Sequence, residues 1–153
     1  MPFTDPSGVR LRQWMSVDET TFYDSSKIAL LPMGFCYPGR GRGGDLPPRP
    51  ECAATWRDAL LSHLTKVELT IAIGCYAIDW HLKPAKQSTL TEIVGQWRDH
   101  WPNLIPLPHP SPRNTQWLKQ SLGRSRSHSS APATNFGTAL APTAYPTYAE
   151  VTT

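Results

Sequence analysis

Three short, largely apolar runs, each bounded by turn residues and separated by stretches of helical spacing, constrain this chain more than any other feature. They are Ile28-Ala29-Leu30-Leu31, cut short by Pro32; the run from Val67 to Ile73, ending at Gly74; and Leu104-Ile105-Pro106-Leu107. The unbroken run Ile28–Leu31 suits a strand covered on both faces, as in a parallel sheet, and the β-branched, mostly apolar second run is the clearest strand in the chain. Between them the periodicity is helical. Val9, Leu11, Trp14 and Met15 give a first helix its apolar face behind the turn and cap residues Asp5-Pro6-Ser7-Gly8. Asp18 can cap a short second turn through Tyr23. Glu51 opens a helix in which Cys52, Trp56, Leu60 and Leu64 recur every fourth residue, a stripe predicted to face the core. A helical stretch follows Gly74 to near Leu82, and Thr89 or Thr91 caps another that carries Ile93, Val94, Trp97 and Trp101. Strand, crossover helix, strand and helix in alternation predict an α/β domain with a parallel sheet and right-handed crossovers, whose ligands bind beyond the carboxyl ends of the strands. The last strand is predicted near an edge, because Pro106 has no N–H to donate.

The 153 residues suffice for one small domain, and 16 prolines, 10 glycines and only 18% charged residues suit a loop-rich domain with an unstructured segment attached. Past Lys119 the composition changes: of the residues from 119 to 153, 22 are Ser, Thr, Ala, Pro or Gly, without a lasting period. The predicted boundary is a domain over 1–118 and a disordered low-complexity tail over 119–153. No apolar run approaches the roughly 18 to 20 residues that span a bilayer, and Met1-Pro2-Phe3-Thr4-Asp5 has neither a basic nor an apolar leader region. A cytoplasmic monomer without a membrane partner is the reading. Three cysteines, an odd number, favour reduced thiols or metal ligation over a disulfide framework.

Charge says less. Residues 1–118 carry twelve Lys and Arg against eleven Asp and Glu, so much of the net +3 lies beyond them. Within the body, Arg40, Arg42 and Arg49 cluster in a Gly/Pro-rich loop over 34–50, which either meets phosphates or is simply solvated. Loops longer than about 12 to 15 residues in a compact domain are functional or disordered.

The most informative stretch is Pro108-His109-Pro110-Ser111-Pro112-Arg113, directly after the third strand. Three prolines fix φ and remove donors, so the loop is stiff and holds a histidine, a hydroxyl and an arginine in set directions, suited to nucleobase and phosphate contact. A structural Pro-rich turn is the alternative.

His109-Pro110-Ser111-Pro112 resembles the second active-site motif of the uracil-DNA glycosylase superfamily. The stretch Met1 to Gly8 resembles the Pro-Phe segment that follows the first motif in its iron-sulfur members, and Leu31 to Gly39, Gly43 to Cys52 and His109 to Trp117 look like an uncharacterised bacterial branch of that group. The resemblance covers roughly 2–118. It implies a three-layer αβα fold and base excision: the enzyme flips a deoxyuridine out of DNA and hydrolyses its N-glycosidic bond. Carried over by position, Phe3 is the ring that stacks on the base, and His109 the donor that stabilises the departing uracil anion. Ser111 sits near a phosphate, and Arg113 stands where a side chain fills the gap left by the flipped base. DNA is the implied partner, with Arg40 and Arg42 as further contacts. Apart from the resemblance, Phe3 reads as a hydrophobic staple before the first helix.

The same resemblance gives Cys36 and Cys52, sixteen residues apart, the places of two of the four ligands of a [4Fe-4S] cluster. The Cys-x-x-Cys pair that supplies the others is missing, so the cluster is expected in full-length relatives and not in this chain. Cys75 matches no ligand position and reads as a small buried residue. Two further departures stand out. Pro32 occupies the place of an Asn that reads the uracil edge, and the first motif, which positions the attacking water, would precede Phe3 and is absent with its strand. The expectation is an N-terminally truncated, inactive glycosylase-like chain. Its competitors are a non-catalytic nucleic-acid or nucleobase binding module and a decayed gene product.

Overall fold

A computed structural model describes residues 3–85, 87–124 and 149–152. Helix α1 (Pro6–Met15) begins where predicted: the Asp5 side chain accepts from the Gly8 N–H, and proline occupies the first turn, where its missing N–H costs nothing. Helix α2 (Glu19–Phe22) is capped by Asp18 in the same way. Strand β1 (Ile28–Leu31) follows, then a loop containing a two-residue hairpin, β2 (Arg40–Gly41) and β3 (Gly44–Asp45). A continuous helical segment comes next: α3 (Pro50–Cys52), a π-helical turn (Ala53–Arg57) and α4 (Asp58–His63). Strand β4 (Leu69–Ile73) leads into α5 (Gly74–Leu82), and α6 (Leu90–Gly95) opens on a capping box between Thr89 and Glu92. Strand β5 (Leu104–Leu107), a 3-10 turn (Pro112–Asn114), α7 (Thr115–Arg124) and β6 (Ala149–Thr152) complete the described chain.

The sheet order is β1-β6-β4-β5, with every pair parallel. Side chains of the strands alternate between two cores. Leu69, Ile71, Ile73, Ile105, Leu107 and Ile28 pack on one face with Leu11 and Met15 of α1 and Phe22 of α2. Ala72 lies on the other with Ala53 of the π turn, Ala77 and Ile78 of α5, and Ile93 and Val94 of α6. The result is helix, sheet, helix, the α/β architecture expected, and β5 with its Pro106 lies at an edge of the sheet as predicted.

Four expectations are corrected. Residues 119–124 continue α7, and 149–152 form β6 between β1 and β4, where each of its residues is in register with both neighbours. The backbone groups of β1 and β4 need partners, and a four-residue strand is too short to register as a period. The remainder of the predicted tail, 125–148, lies outside the described residues. The sheet accordingly has four strands, one of its two interior positions taken by the C-terminal segment. The stripe Cys52, Trp56, Leu60 points outward, with Trp56 56% exposed, while Ala53 and the fully enclosed Arg57 face in. Val9 is also exposed, and Leu11 and Met15 carry the buried face of α1. Finally, Cys75 is exposed on the first turn of α5, not buried.

Candidate active site

The site forms at the carboxyl end of β5, in the crevice such sheets offer to ligands. The loop after Leu107 is fixed by its own hydrogen bonds. Ser111 N–H donates to His109 Nδ1 at 3.2 Å, Ser111 Oγ accepts from Arg113 N–H at 3.3 Å and so caps the 3-10 turn, and Asn114 Nδ2 donates to the His109 carbonyl at 2.8 Å. An Nδ1 that accepts carries no proton, so the neutral ring bears its hydrogen on Nε2. Burial pushes the His109 pKa below its ordinary value, and the carboxylate of Asp5 opposes this. His109 is nonetheless still exposed to solvent, and its surroundings therefore favour a neutral donor that can meet a substrate.

Gly74, where β4 passes into α5, stands beneath this histidine. Its φ of +81° suits glycine, and a Cβ there would lie 3.8 Å from His109 Cβ. The ends of two adjacent strands thus meet at one side chain.

Phe3 approaches from α1. It adopts φ 62°, its carbonyl accepts from Arg12 Nη1 at 3.0 Å, and its ring meets Phe22 edge to face with centroids 5.9 Å apart. A Cβ on Gly8 would fall 1.8 Å from the Phe3 oxygen, so only glycine admits this turn. The ring is half-buried against the core below α1. Its ring contact with Phe22 joins it to the core, beyond what a staple at the start of the helix would require.

The arginines divide. Arg113 Nη1 donates to the Gly43 carbonyl at 3.3 Å, which ties the β2–β3 hairpin to the His109 loop. Arg40 Nε lies 3.9 Å from Asp45 Oδ1 across that hairpin, and Tyr37 Oη donates to the same oxygen at 2.9 Å, an interaction that raises the Tyr37 pKa. Arg42 is exposed in the turn between the strands. The Arg113 bond thus brings the hairpin that carries Arg40 and Arg42 up to the loop of His109 and Ser111, whereas Arg49 stands near Cys36 and eases the ionisation of its thiol.

Cys36 Sγ and Cys52 Sγ are 4.0 Å apart, and the neighbouring Cys52 raises the Cys36 pKa by hydrogen bonding and by repulsion between thiolates. Two thiols together are half of a four-thiolate cluster site. Among the described residues no group of three or more His, Cys, Asp and Glu could hold a metal ion. The residues described here thus do not fit a [4Fe-4S] cluster by themselves.

Two arginines carried no signal in the sequence, one gripping the His109 loop and one at the carboxyl end of β1. Arg10 donates from Nη1 to the carbonyls of Pro110 and Ser111, at 3.2 and 3.0 Å, and from Nη2 to Thr115 Oγ1 at 3.0 Å. Arg57 is 0% exposed and donates from Nη1 to the carbonyls of Leu31 and Pro32, at the carboxyl end of β1, with its Nη2 3.2 Å from His81 Nε2. A lone arginine on an amphipathic helix reads as solvated, since charged residues are seldom enclosed.

The sequence pattern of the uracil DNA glycosylase superfamily matches residues 1–131, a stretch that takes in α1, the hairpin loop, β4, β5, the His109 loop and α7. Members of this superfamily act on DNA, which agrees with a basic rim beside a neutral histidine donor. This chain belongs to the uracil DNA glycosylase superfamily.

Proposed function

We propose that the chain binds a flipped uracil in DNA and assists cleavage of its N-glycosidic bond, with His109 stabilising the departing base. The observation that carries this is the hydrogen bond from Ser111 N–H to His109 Nδ1, 3.2 Å long: it leaves Nε2–H as the donor for a base oxygen that gains negative charge, and burial lowers the pKa of the ring. As the glycosidic bond breaks, its electron pair passes to the base, and a donor already oriented strengthens as that charge grows. Phe3 is the stacking ring in this reading. Ser111 and Arg113 meet the backbone flanking the flipped nucleotide, and Arg40 and Arg42 meet phosphates farther along the strand. The paired thiols of Cys36 and Cys52 are a half-site that a cluster could use only with two further ligands.

Excision also needs a water oriented at the sugar carbon, and the base platform and anion donor do not supply it. Turnover by this chain is accordingly proposed to be slow, and base binding to exceed base release. The test is uracil excision from single- and double-stranded oligonucleotides, with His109→Ala alongside the parent. Release of uracil that falls by two orders of magnitude or so on that substitution supports the assignment. Excision indifferent to His109 removes it, and uracil-dependent DNA binding without any release favours a binding module.

A further inference from the structure

We infer that Arg10 is a positioning residue for His109, acting through the peptide bond between Pro110 and Ser111; this rests on the reading of His109 as the donor to the departing base. The carbonyl of that peptide accepts from Arg10 Nη1 at 3.2 Å, and the N–H of the same peptide donates to His109 Nδ1 at 3.2 Å. A peptide unit is planar, so fixing its oxygen fixes the direction of its hydrogen. Arg10 therefore sets the hydrogen bond that keeps Nδ1 unprotonated and leaves the donor on Nε2.

Three further observations bear on this. First, the grip is not a single bond: Ser111 O accepts from Arg10 at 3.0 Å and from Asn114 N–H at 3.0 Å, and Thr115 Oγ1 accepts from Nη2 at 3.0 Å. The guanidinium fork thus spans the loop from Pro110 to the start of α7, and its planar donors cannot turn without losing an acceptor. Second, prolines at 108, 110 and 112 leave the loop short of N–H groups of its own, so its carbonyls take an outside donor. Third, Arg10 and Arg12 lie two residues apart on α1, roughly 200° around the helix. They consequently project to different sides, Arg10 to the His109 loop and Arg12 to the Phe3 carbonyl. One helix then sets both sides of the base site. Asp5, which caps that helix, is also the carboxylate felt by His109.

The experiment compares Arg10→Met, which keeps length and loses every donor, with Arg10→Lys, which keeps the charge and loses the fork. Lys27→Met, at an exposed ion pair with Asp24, is the control. The first readout needs no turnover: nitrogen and carbon NMR of the His109 ring reports tautomer and pKa in the full chain. Arg10→Met should give a mixture of ring tautomers and a pKa displaced toward the ordinary histidine value, with Arg10→Lys between it and the parent and Lys27→Met unchanged. The second readout is uracil excision from a single-stranded oligonucleotide, where Arg10→Met should lower kcat by roughly a hundredfold with KM altered much less. If Arg10→Met does not fold, Arg10→Lys decides by the same two readouts. A folded variant whose His109 tautomer and pKa match the parent's overturns the inference. Excision lost in His109→Ala and kept in Arg10→Met does so while sparing the glycosylase reading. Excision indifferent to His109→Ala removes that reading, and the ring tautomer then decides the role of Arg10 alone.

Discussion

At His109, burial and a single hydrogen bond favour the neutral ring that the proposed chemistry needs. Its folded pKa lies below the ordinary value, so the unfolded chain binds the proton more tightly than the folded one. The sign follows: the contribution of this residue to stability is complete above the unfolded histidine pKa and is lost as pH falls through the lower, folded value. Chemical denaturation measured from neutral pH downward should show stability declining across that window, with a shallower decline in His109→Gln. Asp5 shows the opposing influences within one carboxyl. Burial alone would raise its pKa, but hydrogen bonds from the Ser7 side chain and from the Gly8 and Ser7 backbone together hold it low. On the rim, Arg42 is exposed and meets only phosphate in the proposed complex. Arg42→Ala should weaken binding to uracil-containing and plain oligonucleotides alike, and reduce the slope of log affinity against log salt by about one. A loss confined to uracil-containing DNA would place Arg42 at the base instead. That His109, Ser111 and Arg113 share one stiff loop was legible, because three prolines advertise it. Arg10 was not, because nothing in a helix sequence says which loop, about a hundred positions away, its side chain will reach.

Among the elements, the segment from Pro50 to His63 is the one whose periodicity misleads. Cys52, Trp56 and Leu60 are spaced as a core stripe, yet Leu60 is 37% exposed and Arg57 is enclosed. The π turn at Ala53–Arg57 admits an extra residue per turn, so the faces that a regular helix would present are rotated. Arg57 then enters between β1 and α5, over Trp80 and against two carbonyls at the end of β1. Truncating Arg57 empties an enclosed space and leaves two carbonyls without their donor, so Arg57→Ala should destabilise the fold by about 3 kcal/mol or more in urea titration. A change below about 1 kcal/mol would show that the carbonyls of Leu31 and Pro32 find other donors. The caps, by contrast, were plain. Asp5 and Thr89 precede helices with the expected side-chain bonds, and Asp5→Ala should cost about 1 kcal/mol of stability through the lost cap alone. Local chemistry decides a cap, and local chemistry is what a sequence displays.

For the molecule as a whole, the sheet depends on its most distant segment. Strand β6 lies between β1 and β4, parallel to both, with Val151 in register with Leu30 on one side and Ile71 on the other. Without it, two strands would each lose a ladder. Deletion of 149–153 should therefore lower the melting temperature and broaden the transition, whereas dispensability of the whole segment after Lys119 would leave the melt unchanged. No helix among the described residues is long and apolar enough to cross a membrane. The three strands, of which the second was expected from Val67 and begins at Leu69, the parallel pairing, the caps and the stiff histidine loop followed from residues near one another in the chain, because strand burial, capping and proline stiffness are local or short-period effects. The strand that fills the sheet, the inward turn of Arg57 and the grip of Arg10 on the His109 loop depended on tertiary structure. Each pairs groups far apart in sequence, and which unsatisfied carbonyl or sheet edge a segment reaches is settled only when the whole chain has packed.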